Sequence, residues 1–216
     1  MDIIYLGHAS FRIKGRAVVV ITDPFDPQKV GLKFPKISAD LVTVSHAHDD
    51  HSFVQAVSGV KKIIDGPGEY EIAGVSIIGS RTYHDSKKGV ERGKNTIYVI
   101  EMDDLRLVHL GDLGHRLSED MLEELGEVDV LMIPVGGVYT IGPGEAGEIV
   151  RDIEPAITIP MHYKTPGLNP DTFGELSSVD EFLKETGLPV ERIEKLSIKK
   201  SELGEEMKVV VLEKKS

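Results

Sequence analysis

Six consecutive residues concentrate the chemistry in this sequence. His46-Ala47-His48-Asp49-Asp50-His51 contains the pattern H-x-H-x-D-H. Imidazole nitrogens and carboxylate oxygens are the ligand types of Zn²⁺, Mn²⁺ and Fe²⁺. In a turn after a strand, two histidines two apart can point the same way. The Asp50-His51 pair can then face a second point. Four ligands from so short a segment are too dense for one tetrahedral ion, so a second ion or distant ligands are implied. Distant candidates exist. His84 follows the apolar run 75–82, Asp112 follows 105–110, and His162 ends 156–161. Each stands just past a strand-like run, where ligand sites of α/β sheets gather. Singly, each also fits a plainer role: His84 a surface turn, Asp112 a turn residue after Gly111, His162 a hydrogen-bonded strand end.

These residues need a scaffold that brings strand ends together. Short apolar runs at 2–7, 10–14, 17–22, 41–45, 61–64, 69–72, 75–82, 95–101, 105–110, 128–135, 156–161, 190–198 and 207–213 read as strands. Asp103-Asp104 marks a hairpin turn. Four segments read as helices. The first, 51–58, places Phe53, Val54 and Val57 on one side. The second, 118–125, starts at Ser118 and buries Met121, Leu122 and Leu125. The third, 144–153, carries Ala146, Ile149, Val150 and Ile153 at helical spacing behind Pro143. The fourth, 178–186, carries Val179, Phe182 and Leu183. Strands lead and helices are interspersed later, which predicts a layered α/β fold with helix-covered sheets. Segments 24–40 and 164–177 read as long loops of the kind that form lids or binding walls.

Composition narrows the function. At 216 residues the expectation is a single domain spanning 1–216. There is no cysteine, which excludes disulfides, thiolate metal sites and a cysteine nucleophile. With 25 basic against 36 acidic residues the net charge is −11. That disfavours nucleic acid and anionic membranes as partners. The N-terminus reads as a first strand without an export signal, so a cytoplasmic location is expected. A small-molecule substrate is the expected partner, and a homo-oligomer stays open.

The ligand pattern resembles that of the metallo-β-lactamase-fold hydrolases. Leu6-Gly7-His8-Ala9-Ser10-Phe11, Thr22-Asp23-Pro24, His109-Leu110-Gly111-Asp112, Ile133-Pro134-Val135-Gly136-Gly137 and Pro160-Met161-His162-Tyr163 narrow the likeness. They resemble the branch that includes ascorbate-6-phosphate lactonase and many small uncharacterised hydrolases. The resemblance runs from Met1 to about Thr165. It implies a four-layer αββα sandwich with the site at one edge between two sheets. It also implies that His46, His48 and His84 hold one divalent ion, that Asp50, His51 and His162 hold another, and that Asp112 bridges them. Zinc is the first expectation for both ions, with manganese and iron as alternatives. Such a pair would activate a water to hydroxide for attack on a carbonyl or phosphoryl centre. The implied activity is metal-dependent hydrolysis of a small anionic ester, lactone or phosphoester, with Asp50, Asp112 and His8 as catalytic residues. The alternatives are a nuclease or phosphodiesterase acting on RNA or nucleotides, and a non-catalytic metal-binding regulatory protein. A flavo-diiron redox role would need a flavin domain for which the chain has no residues to spare.

Other residues take supporting readings. His8, Tyr163, Lys164 and His115 are candidates for the leaving-group proton donor by sequence proximity alone, with a metal-bound water as the alternative. His109 reads as a buried, hydrogen-bonded core residue. Asp23 either fixes a turn or holds the second nitrogen of a ligand histidine. Gly142-Pro143-Gly144-Glu145-Ala146-Gly147 matches G-x-G-x-x-G formally but lacks the βαβ setting, and reads as a helix N-terminal loop. Gly74–Gly79 misses G-x-S-x-G by one position. The charged segment 199–206 reads as a solvated turn.

Overall fold

A computed structural model describes residues 1–204 and 206–214. β1 (Asp2–Gly7), β2 (Ser10–Lys14) and β3 (Val19–Thr22) form a meander. α1 (Pro27–Val30), β4 (Ile37–Ser38), β5 (Leu41–Thr43), β6 (Val57–Ser58) and β7 (Lys62–Ile64) follow. Next come β8 (Gly68–Ile72), β9 (Val75–Tyr83), β10 (Lys94–Met102) and β11 (Leu105–His109). The second half alternates α2 (Glu119–Leu125), β12 (Val130–Pro134), α3 (Pro143–Ile153) and β13 (Ile157–Met161). It ends with α4 (Pro170–Phe173), α5 (Val179–Thr186), β14 (Val190–Ile193), β15 (Leu196–Ser197) and β16 (Lys208–Leu212).

The strands build a six-stranded sheet, β15-β1-β2-β3-β5-β7, and an eight-stranded sheet, β14-β16-β13-β12-β11-β10-β9-β8. Strand direction positions the site. β1 and β3 both run antiparallel to β2, and β5 is parallel to β3. β9 and β11 both run antiparallel to β10, and β12 and β13 continue parallel to β11. Within each sheet, therefore, the strands that precede candidate ligands end at one edge.

Alternating side chains give each sheet two apolar faces. The inner faces share one core, in which Phe11, Ile13 and Leu41 meet Ile77, Tyr98, Leu107, Met132 and Ile159. Tyr98 ties the sheets together: its hydroxyl donates to the carbonyls of Val44 and Ile64 at 2.8 and 3.1 Å. On the outer face of the larger sheet, Val108, Leu131 and Ile133 pack against Ile149, Val150 and Phe182 of α3 and α5. The outer face of the smaller sheet, with Ile21, Val42 and Val44, is covered by Ala39, Val57 and Phe34. The layered α/β arrangement expected from the sequence is present. Its layer over the smaller sheet consists of short turns and the β4–β6 pair rather than long helices.

Several local expectations are corrected. Segment 51–58 is not an α-helix: a single 3-10 turn spans Val54–Ala56, and β6 pairs with β4. The amides of His51 and Ser52 both donate to the His48 carbonyl, and that of Phe53 donates to Pro24. The local amides are thus spent on fixing the 46–51 turn, and no helix propagates. Segment 190–198 is two strands in two sheets, β14 beside β16 and β15 beside β1. The loops 24–40 and 164–177 contain α1, β4 and α4. In α2 only Leu125 is buried, while Met121 and Leu122 are half-buried. In the turn around 200, Lys200 pairs with the buried Asp129 at 2.7 Å; Glu205 lies outside the described residues. Among the described residues no helix is long and apolar enough to cross a membrane.

Candidate metal centre

Left-handed turns end three of the strands that bear the site. His8, Asp23 and His162 directly follow β1, β3 and β13 with φ of 58°, 40° and 53°. His and Asp tolerate this region better than branched residues do. It turns the chain sharply at the strand end and leaves these side chains at the shared edge. Gly111 adopts φ of +56° before Asp112, and a β-carbon there would overlap Asn95 Oδ1 and Ser45 Cβ. Only glycine fits that approach.

The candidate ligands converge. Asp112 Oδ2 lies 3.1 Å from His84 Nε2, 3.2 Å from His51 Nε2, 3.4 Å from His162 Nε2 and 3.9 Å from His46 Nε2. Three groups have ligand atoms mutually within 4.8 Å. They are His46, His48 and His84; His46, His51 and Asp112; and His8, Asp50, His51 and His162. The residue set expected from the sequence is thus brought together, with Asp112 between its two halves. His46, His51, His84, Asp112 and His162 are buried, Asp50 is half-buried and His48 is exposed.

Hydrogen bonds fix which nitrogens face inward. Asp23 Oδ2 lies 2.8 Å from His51 Nδ1, and a carboxylate only accepts, so Nδ1–H donates and Nε2 is the nitrogen turned toward the centre. Ser45 donates its hydroxyl to Asp23 at 2.6 Å, so its Oγ accepts from His46 Nδ1 at 2.9 Å. One buried carboxylate therefore sets the tautomers of two candidate ligands, His51 directly and His46 through Ser45. His46 Nε2, His51 Nε2 and Asp112 Oδ1 are buried and have no hydrogen-bond partner among the described residues. Buried polar atoms of this kind normally find one. A set of inward-facing imidazole nitrogens and carboxylate oxygens fits divalent cations.

The electrostatics agree with that reading. Burial pushes the Asp112 carboxyl up, but the His162 and His51 imidazoles outweigh it and hold the group well below its ordinary value. Burial likewise opposes the charged form of Asp50, and His51 and His8 overcome it, so Asp50 is also lowered. Burial and the neighbouring His51 push His46 down to about 3, leaving it neutral and able to ligate. His51 is raised: burial opposes its charge, but Asp112 and Asp50 stabilise it. The centre therefore favours positive charge between two carboxylates.

The flanking residues sort differently. His8 donates from Nε2 to Asp50 at 3.0 Å, and its ring lies 4.1 Å from that of His162 and 4.9 Å from Phe173. Burial and His162 push it down to about 4. The other proton-donor candidates are bound elsewhere. His115 accepts from the Tyr83 amide and donates to the Arg116 carbonyl, Tyr163 packs against Tyr5, and Lys164 donates to the Gly174 carbonyl. His109 is buried as expected. It donates to Ala9 and accepts from the Gly111 amide, joining the ends of β11 and β1. Two supporting residues have no role in the sequence reading. One is Ser45. The other is Asn95, whose Oδ1 accepts from the Asp112 amide while its Nδ2 donates to Leu110 and Thr82. A polar residue opening the apolar run 95–101 was the one signal for Asn95.

The site opens on both sides of Ala47-His48. One cavity of about 530 Å³ includes His46 and Tyr83, and another of about 430 Å³ includes Asp50, Asn169 and Phe173. Both long loops reach the second cavity, and they meet where the Asn169 amide donates to Val30.

Comparison with known proteins places this geometry. A family profile described as a Beta-lactamase superfamily domain matches residues 2–162. A UPF0173 metal-dependent hydrolase of Thermococcus onnurineus is 32% identical over 188 residues, covering 74% of this chain and 84% of that protein. A UPF0173 metal-dependent hydrolase of Methanopyrus kandleri is 29% identical, covering 99% of this chain and 97% of its own length. Among solved structures, a proposed Zn-dependent hydrolase of the metallo-β-lactamase superfamily from Thermotoga maritima superposes with a TM-score of 0.81. It is 42% identical, with 98% of this chain and 97% of that one covered.

Proposed function

The chain belongs to the metallo-β-lactamase superfamily and is one of its metal-dependent hydrolases; from that premise we propose that it holds a pair of divalent ions and hydrolyses a small anionic ester, lactone or phosphoester. His46, His48 and His84 would hold one ion, Asp50, His51 and His162 the other, and Asp112 would serve both. Zinc, manganese and iron all suit such a donor set. When bound, the ions supply Lewis acidity and a nucleophilic water near neutral pH.

The protein's own groups prepare that chemistry. Asp112 and Asp50, both held ionised, offset the cationic charge. Asp23 and Ser45 keep Nε2 of His51 and His46 turned inward. His8 holds a proton on Nε2 against Asp50, beside the reacting region. Of the four donor candidates it alone touches the candidate ligands; kept neutral by burial, it would position the Asp50 carboxylate rather than serve as the acid. Phe173 packs edge-on against His8 and His162 as an apolar wall beside them.

The observation that carries this reading is the convergence of four imidazoles on one carboxylate oxygen, Asp112 Oδ2, from three separate segments of the chain, the 46–51 turn, His84 and His162. The test is metal content by mass spectrometry with a panel of lactone, carboxylic ester and phosphodiester substrates. A pair of divalent ions per chain, lost in Asp112→Ala together with hydrolysis, is expected. Wild-type protein that takes up no divalent metal, or an Asp112→Ala variant that retains both metal and turnover, overturns it.

A further inference from the structure

Beside the candidate ligands, the 530 Å³ cavity carries a charge opposite to that of the whole chain. Arg81, Lys88, Arg92 and Lys94 line it against one carboxylate, Asp65, in a protein of net charge −11. His46 and His48 line the same cavity.

The strand register explains the clustering. β9 and β10 pair with Tyr83 opposite Lys94 and Arg81 opposite Thr96. Side-chain alternation puts these four on one face. Thr82 and Asn95, on the reverse face, bond to each other and support the Asp112 turn. One strand pair thus steadies a candidate ligand on one side and presents cations on the other.

Lys88 and Arg92 come from the loop joining the two strands, and that loop is tied down. The Asp85 carboxylate accepts from the amides of Lys87, Gly89, Glu91 and Arg92 at 2.8–3.0 Å. The Arg92 guanidinium also lies 5.7 Å from the Tyr139 ring centre, and the Tyr139 hydroxyl donates to Thr172.

The cations lack partners of their own. Among the described residues Arg81, Lys88 and Lys94 form no ion pair, and Arg92 has only Glu91 at 4.0 Å. Some cations elsewhere are matched closely, as in Lys87–Glu91 at 2.6 Å and Lys61–Asp40 at 2.8 Å. Like charges gathered in a concave wall repel one another and raise the local potential for an incoming anion.

We propose that this cleft is the subsite for an oxyanion, a carboxylate or a phosphate, at the non-reacting end of the substrate. The anion lies among Arg81, Lys88, Arg92 and Lys94, and the scissile bond extends past His46 and His48. The role of that other end rests on the hydrolase reading above.

The test compares two cleft variants, Arg81→Gln/Lys94→Gln and Lys88→Gln/Arg92→Gln, with Lys14→Gln/Lys184→Gln. The last makes the same charge change outside the cleft. Inorganic phosphate and succinate are titrated calorimetrically into the metal-loaded proteins. Each cleft variant should bind the preferred anion about 10-fold more weakly than the control does. Whichever of the two probes binds the wild type more tightly identifies the oxyanion. A second measurement takes the ratio of kcat/KM for mono-para-nitrophenyl succinate over para-nitrophenyl butyrate. That ratio should fall about 10-fold in the cleft variants, mainly through KM. Anion affinities and ratios equal to those of the control, or no saturable binding by the wild type, overturn the proposal. If the wild type turns over neither ester and no member of the substrate panel, the hydrolase reading fails, and the titrations still decide the cleft.

Discussion

Asp23 bears on the site without being among the candidate ligands. Its carboxylate accepts from His51 Nδ1, from the Ser45 amide and from the Ser45 hydroxyl. Asp23→Asn keeps the size but removes the charge, and an amide nitrogen facing His51 or Ser45 would meet a donor with a donor. We expect metal affinity to fall about 10- to 100-fold, read by competition with a chromophoric chelator. Unchanged affinity would show that the two histidines are oriented by other means. At this scale the sequence was informative in one direction. The seven candidate ligands were legible because four lie in one turn and the other three each follow an apolar run. Ser45 and Asn95 were not legible, because their partners at 23 and 112 arrive through the fold. Proximity along the chain also misled: Tyr163 adjoins His162, yet after the left-handed turn its ring is buried against Tyr5.

At the scale of elements, hydrophobic spacing read α3 and α5 correctly, and failed at 51–58, where amides are taken by the His48 and Pro24 carbonyls, and at 190–198, where the chain changes partner midway. α3 and α5 follow their periodicity because each lays one stripe on the larger sheet. Segment 190–198 reads as one strand because both halves are suitable for pairing, and nothing local records that the chain crosses between sheets at 194–195. Helix α5 offers a direct test of what defines an element's start. Glu181 accepts from the Ser178 amide at 2.9 Å and from its hydroxyl at 3.1 Å, closing the first turn. The Ser178 amide, then the hydroxyls of Ser177 and Ser178, lower its carboxyl below the ordinary value. A lowered folded value means the stabilisation is full above the unfolded pKa of about 4.3 and fades as pH falls through the folded one. Glu181→Gln should therefore have a lower urea midpoint than wild type at pH 7, and the gap should close below about pH 4. Taking the difference between the two proteins cancels acid effects that both share. A gap that stays constant or widens in acid would contradict the assignment.

Across the whole molecule, the site exists because two sheets from different parts of the chain end at a common edge, so their mutual placement sets its dimensions. Charge follows the same axis. The basic cleft lies beside the ends of β9 and β5, whereas a cavity of about 860 Å³ around the Asp103-Asp104 hairpin, at the start of β11, is lined by Glu71, Glu123, Glu124 and Asp129. This polarity would draw a small anion toward the ligand end. Tyr98 is the polar contact that reports on sheet placement most directly. It stands on β10 of the larger sheet, is fully buried, and donates to the carbonyls of Val44 and Ile64 across the core. Val44 is two residues before His46, so the contact connects inter-sheet spacing to the ligand turn. Tyr98→Phe preserves the ring packing and removes only the hydroxyl. The cost should be about 1–3 kcal/mol for a buried acceptor left short of a donor. For a protein of this size that lowers Tm by about 2–4 °C per kcal/mol. If the sheets are held rigidly by the apolar core alone, metal affinity will match wild type despite the lower Tm. We expect a measurable loss of affinity alongside the loss of stability, because the ligand turn is attached to the strand that Tyr98 anchors. Calorimetric melting of the metal-free protein, set beside chelator competition on the loaded one, separates the two outcomes.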